Sequence, residues 1–167
     1  MSDLYSELLV KKEQTAKDKM TKIGLIALTA IFAFAGLFIS PIFLLGALAG
    51  GLGCYFILPK TDLEYEYLFV NGDMDIDMVM AKTKRKKAKS LKLSEADLMA
   101  PLDSHRMDYY NGNQKMKTLD FSSGNPSHKR FAIITKLDGE NCKVIIEPDE
   151  ALAQAMKNSA PSKVFLD

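Results

Sequence analysis

Between Lys22 and Lys60 the chain has no Asp, Glu, Lys, Arg or His, so 37 consecutive residues (23–59) carry no charge with which to meet water. No other feature constrains the fold as strongly. One membrane crossing takes about 20 apolar residues at ~1.5 Å of rise each, so a single span would strand roughly 17 of them. Ser40-Pro41 lies near the middle of the run. Proline has no amide hydrogen, its ring clashes with the carbonyl four residues back, and it biases the preceding residue away from helix. The run therefore divides into 23–39 and 42–58, each about 26 Å long as helix. This predicts a transmembrane helical hairpin over 23–59, with flanking lysines extending its reach to the interface.

Charge placement assigns the sides. Lys11, Lys12, Lys17, Lys19 and Lys22 precede the run; Lys60 and the cluster Lys82, Lys84, Arg85, Lys86, Lys87 and Lys89 follow it. Cytoplasmic flanks are enriched in Lys and Arg. The expectation is a multi-pass protein of the cell membrane with both termini cytoplasmic. A signal peptide does not fit, because 22 residues of mixed charge come first and the apolar length is more than double an ordinary h-region. Cys54 in GGLGC resembles a lipoprotein box only superficially, since Leu52 is one position too close and YFIL continues the run. Cys54 and Cys142 sit in such different settings that free thiols are expected. No ionisable residue lies at membrane depth, so the hairpin reads as an anchor with no transport site. Its glycine spacing, Gly46 to Gly50 and Ala49 to Gly53, lets backbones approach closely, either within the hairpin or between copies.

On the N-terminal side, Leu4, Tyr5, Leu8 and Leu9 follow helical spacing and predict an amphipathic cytoplasmic helix over 1–22. Residues 61–167 read as a small cytoplasmic β domain. Leu63, Tyr65, Tyr67 and Phe69 alternate with Glu64 and Glu66; Met74, Ile76, Met78 and Met80 alternate with Asp75 and Asp77. Asn71-Gly72 between them has the chemistry of a tight hairpin turn. A third strand is expected at 88–93 and a short helical turn over 94–101. Strands follow around Leu119 and Phe121, and a second hairpin turns at Asp138-Gly139. A helix with an acidic start at Asp149 and Glu150 closes the order. The fold class is α+β: a transmembrane helical hairpin, then antiparallel strands and a C-terminal helix able to cover a sheet opening.

That element order over 61–160 resembles bacterial pleckstrin-homology-like (PH-like) domains. Lipid-reading members carry a long basic first hairpin loop, and Asn71-Gly72, read as that loop, is too short to cradle a headgroup. The blocks SDLYSELLVKKEQTAKD, LEYEYLFVNGDMDID and EPDEALAQAMKNSAPSKVF resemble a family of small two-helix membrane proteins of unknown function from clostridial Gram-positive bacteria. The resemblance implies a membrane protein of unknown function and supplies no catalytic residue to carry over; no cofactor is expected.

Direct search for chemistry finds little. His105 and His128 stand in SHR and SHK with no nucleophile-elbow pattern, and read as loop histidines. Asp73, Asp75 and Asp77 lack the glycine and terminal glutamate of a calcium loop, so no metal site is expected. The cations Lys82, Lys84, Arg85, Lys86, Lys87 and Lys89 are the candidate site. Beside an anchor they suit contact with an anionic lipid surface, at about 1 kcal/mol each, and without interleaved aromatics they do not suit nucleic acid. The functional expectation is a membrane-anchored, non-enzymatic scaffold whose β domain binds a protein partner or itself. The alternatives are a ligand site or enzyme near His105 and Tyr109-Tyr110, or an accessory subunit of a larger membrane complex.

Overall fold

A computed structural model of the chain describes residues 5–112 and 116–167. Two compact units emerge: Glu13–Leu63 with Val79–Lys84, and Met1–Lys12 with Glu64–Met78 and Arg85–Asp167.

In the first unit, α1 (Ala16–Phe38) and α2 (Phe43–Thr61) form the expected hairpin. Both are long and apolar enough to cross a membrane. Helix α1 begins seven residues before the uncharged run because Thr15 and Asp18 form a capping box. The Asp18 N–H donates to Thr15 Oγ1 at 3.2 Å and the Thr15 N–H to the Asp18 carboxylate at 3.0 Å. Pro41 sits in the connection, where Leu44 N–H donates to its carbonyl at 3.0 Å. Glycine decides the helix contact. Leu25, Thr29, Phe32 and Gly36 of α1 meet Gly53, Gly50, Gly46 and Leu44 of α2. A Cβ on Gly46 would lie 2.7 Å from the Phe32 ring, and one on Gly50 would collide with Thr29 Oγ1. The small-residue spacing therefore packs this hairpin against itself, and larger side chains such as Ile31, Phe34, Leu45 and Leu48 face outward.

In the second unit the N-terminal segment departs from expectation. Tyr5–Lys11 is a strand, β1, in place of an amphipathic helix; Leu4 of that expectation lies outside the described residues. It pairs antiparallel with β2 (Leu63–Val70), Leu8 opposite Tyr67 and Lys11 opposite Glu64. So short a helix would be marginal alone, whereas the strand gains a full ladder and buries Val10. The β domain thus starts before the helices, and the hairpin is an insertion between β1 and β2. The first hairpin loop is this insertion; Asn71-Gly72 closes the second hairpin, so the argument from a short first loop does not apply.

The first sheet runs β1-β2-β3-β4, with β3 at Asp73–Met80 and β4 at Lys84–Lys92. The second runs β5-β7-β8-β6, from Leu98–Pro101, Phe131–Leu137, Glu140–Ile146 and Lys117–Asp120. Asn71 and Gly72 have φ of 51° and 97°, Asp138 and Gly139 of 55° and 84°, as two-residue hairpins require. Two further expectations are corrected. The segment expected as a helical turn contains β5, whose Met99 and Ala100 are fully buried in two different clusters, so tertiary burial overrides the local cap signal. Strand β6 pairs parallel with β8 on the edge that β7 leaves open, so this sheet is mixed where antiparallel strands were expected. A short helix, α3 (Asp108–Asn111), follows β5, and α4 (Glu150–Ser159) is capped by Asp149, which accepts from Leu152 N–H at 2.8 Å. The core joins Tyr65, Tyr67 and Phe69 to Met74, Ile76, Ile133, Val144, Ile146, Leu152 and Met156. Tyr67 is fully buried. Its hydroxyl donates to the Phe121 carbonyl at 2.5 Å and accepts from Glu147 N–H at 3.3 Å, and burial pushes the phenol's pKa well above its usual range.

Gly50→Val forces its side chain into Thr29. It is expected to weaken the hairpin by about 1–3 kcal/mol, read as reduced resistance to unfolding in detergent, while Gly24→Val, which meets open space, has little effect.

Candidate binding groove and the basic run

The six candidate cations do not act as one patch. Three cations of β4 are neutralised, Arg85 and Lys87 by carboxylates of β2 and β3 and Lys89 by the β7–β8 turn. Arg85 Nη2 sits 2.7 and 2.6 Å from the two carboxylate oxygens of Glu66. Lys87 reaches Asp75 at 3.0 Å and Lys89 reaches Asp138 at 2.7 Å. Glu66 has a side chain only 6% exposed; burial pushes its carboxyl up, against the pull of Arg85. Asp75 goes the other way, because the Ser90 hydroxyl (2.5 Å) and Lys87 hold its carboxyl below the usual range. The acidic alternation of β2 and β3 and the basic run of β4 are therefore one structure. Lys82, Lys84 and Lys86 have no ion-pair partner among the described residues; the Lys84 ammonium lies 5.0 Å from the Tyr55 ring centroid.

The opposite edge of this sheet is β1. Beside it opens a groove of about 1360 Å³, floored by Leu8, Val10, Phe131, Pro148, Ala153 and Leu166. Strand β1 presents Leu8 and Val10 inward, while Tyr5 (59% exposed) and Leu9 (53%) face outward. The two edges differ in character: β4 is loaded with cations, which discourage strand pairing, whereas β1 exposes the apolar Tyr5 and Leu9 between Glu7 and Lys11.

At the groove's rim the segment after β6 is fastened by Glu147. Ser123 donates to Glu147 Oε2 through N–H at 3.0 Å and Oγ at 2.6 Å, and His128 Nδ1 lies 2.7 Å from Oε1. A serine, a histidine and a carboxylate meet here, but in the wrong order for nucleophilic catalysis. The hydroxyl proton goes to the carboxylate, and the same ring nitrogen faces both Glu147 and Ser123 Oγ, the latter at 3.3 Å. A relay needs opposite ring nitrogens facing base orienter and nucleophile. This is a loop clasp. His105 is fully exposed, with Asp108 at 3.4 Å, and Tyr109 is exposed while Tyr110 packs against Met107 and Ile134. Neither His105 nor the tyrosine pair lines the groove. Among the described residues no group of three metal-ligating side chains converges.

The sequence reading missed the groove because it missed β1. The period-two signal was present in Leu8 and Val10 against Glu7 and Lys11, but Leu9 and Tyr5 blurred it into helical spacing.

The model of a family described as a bacterial PH-like domain (DUF6106) matches residues 2–166. The chain belongs to this family. No curated protein and no solved structure matches it. The match takes in β1, both helices and α4, so in this PH-like domain the hairpin lies within the family's own extent.

Two outcomes follow from the charged face. Arg85→Gln leaves Glu66 buried and unpaired and should destabilise the domain by about 1–3 kcal/mol, whereas Lys86→Gln should be neutral in thermal unfolding. Asp75, with its folded pKa lowered from 3.8, contributes stability above that value that is lost as pH falls through the folded pKa. Asp75→Asn should flatten the decline in Tm below about pH 4. Because the pair is largely exposed, the difference is about 1–2 °C and shrinks with salt.

Proposed function

We propose that this chain is a two-helix membrane anchor carrying a non-enzymatic PH-like module that binds an extended segment of a protein partner along β1. The carrying observation is the unshielded edge: β1 turns Leu8 and Val10 toward an open groove and exposes Tyr5 and Leu9 beside Glu7 and Lys11 on its other face, while the sheet's other edge is shielded by cations. An extended peptide adding to such an edge gains main-chain hydrogen bonds and buries alternate side chains in the groove. The length and apolarity of α1 and α2 support the anchor, and the lysines at the start of α1 and the end of α2 support a cytoplasmic module with both chain ends on that side. The Ser123–His128–Glu147 arrangement favours binding over catalysis, since no nucleophile is activated in it.

The test uses full-length protein in native membranes, with a photo-crosslinking residue at Leu9 or, as control, at Lys86 on the opposite edge. A discrete adduct at position 9 only, abolished by Tyr5→Lys with Tm unchanged, supports the reading; an adduct of twice the chain mass makes the partner a second copy. Equal, diffuse labelling at both positions rules out β1 as the docking edge. Extraction by alkaline carbonate would overturn the anchor.

A further inference from the structure

The division of the basic run has a second consequence, confined to the helical unit. Arg85, Lys87 and Lys89 are neutralised by carboxylates of the β domain, but Lys82 and Lys84 belong to the compact unit of the hairpin. That unit has six lysines (Lys17, Lys19, Lys22, Lys60, Lys82, Lys84) against three carboxylates (Glu13, Asp18, Asp62). All of them belong to the start of α1, the end of α2 or the β3–β4 turn, and none to the Ser40-Pro41 connection.

The turn is built to hold its cations there. Ala81 N–H donates to the Asp62 carbonyl, immediately after α2, at 2.8 Å, and Thr83 N–H to the Met80 carbonyl at 3.1 Å. Ala81 and Lys82 both adopt left-handed φ, 48° and 57°. Non-glycine residues rarely take that conformation, which costs of order 1 kcal/mol or more each and persists only where the surroundings enforce it. From this turn Lys84 extends alongside α2 to Tyr55, which is 62% exposed and precedes Lys60 by five residues. Tyrosines near the end of a span sit at headgroup level. An ammonium beside such a ring, with no carboxylate partner among the described residues, stands where lipid phosphates lie.

We propose that Lys82 and Lys84, with the Tyr55 phenol, form a site for the phosphate of an anionic phospholipid in the leaflet at the charged end of the hairpin. The proposal rests on the anchor reading above and narrows the lipid contact to the two cations of the run that lie in the helical unit, Lys86 belonging to the β domain. Lysine suits this role because it binds phosphate as a point charge without demanding a fixed fork geometry. Each cation held near an anionic surface gains about 1 kcal/mol, so removing Lys82 and Lys84 should abolish about five- to thirtyfold of the preference.

The experiment reconstitutes the full chain in phosphatidylcholine vesicles with trace spin-labelled phosphatidylglycerol or spin-labelled phosphatidylcholine. Electron paramagnetic resonance then reads the motionally restricted fraction of each. Expected is a clear preference for phosphatidylglycerol that Lys82→Gln/Lys84→Gln removes and that Lys86→Gln/Lys136→Gln, removing equal charge elsewhere, leaves intact. Equal restriction of both lipids by the wild-type chain overturns the site, as does equal loss in the two double variants, which would mean bulk charge alone. Displacement of the labelled phosphatidylglycerol by millimolar inorganic phosphate would reassign it to a free anion. Vesicle flotation is read first: a chain that fails to float defeats the anchor reading itself, a result distinct from a floating chain without lipid preference.

Discussion

The β1–β2 ladder is the interaction on which the architecture depends. Its seven-residue register, with Lys11 opposite Glu64, closes a loop of 52 residues. Loop-closure entropy grows only with the logarithm of length, so a large insertion is tolerated provided its own ends come together. An antiparallel pair of helices meets that condition, and the glycines of α2 against Leu25, Thr29 and Phe32 hold the pair without help from the sheet. The hairpin is thus compatible with the β domain because each part satisfies the other's closure requirement while packing independently.

The sheet's outer face is organised by a second constraint, the handling of its edges. Carboxylates on β2 and β3 are met by cations on β4, so one edge is both neutralised and protected. Edge β1 carries Tyr5, Leu8, Leu9 and Val10 and has a groove beside it. One edge of this sheet is thus shielded by cations, while the other exposes Tyr5 and Leu9. Lys82 and Lys84 belong to the helical unit and the rest of their run to the β domain, although the eight residues KTKRKKAK look uniform on paper.

Membership of the PH-like family alters how the first loop is understood. Read as Asn71-Gly72, that loop seemed too short for a headgroup. With β1 placed before the helices, the first connection is the hairpin itself, flanked by lysines. The short turn belongs to the second hairpin, where positive φ at both residues is all that it supplies.

Much of the fold was legible from local rules. The uncharged run with a central Ser-Pro dictated two helices, because apolar composition and proline sterics act within a few residues. The β2–β3 and β7–β8 hairpins followed from alternation and from Asn-Gly and Asp-Gly turns, and α4 from its acidic cap. What only the tertiary structure decided was non-local. Tyr5–Lys11 has a strand pattern and a helix pattern at once, and its partner lies more than fifty residues away. Leu98–Pro101 became a strand because both of its faces are buried, and β6 runs parallel along the edge of β8 that β7 leaves open. The candidate groove, the fate of each cation and the Glu147 clasp depend on such pairings, whose energies come from residues distant in sequence and leave no trace in a local window.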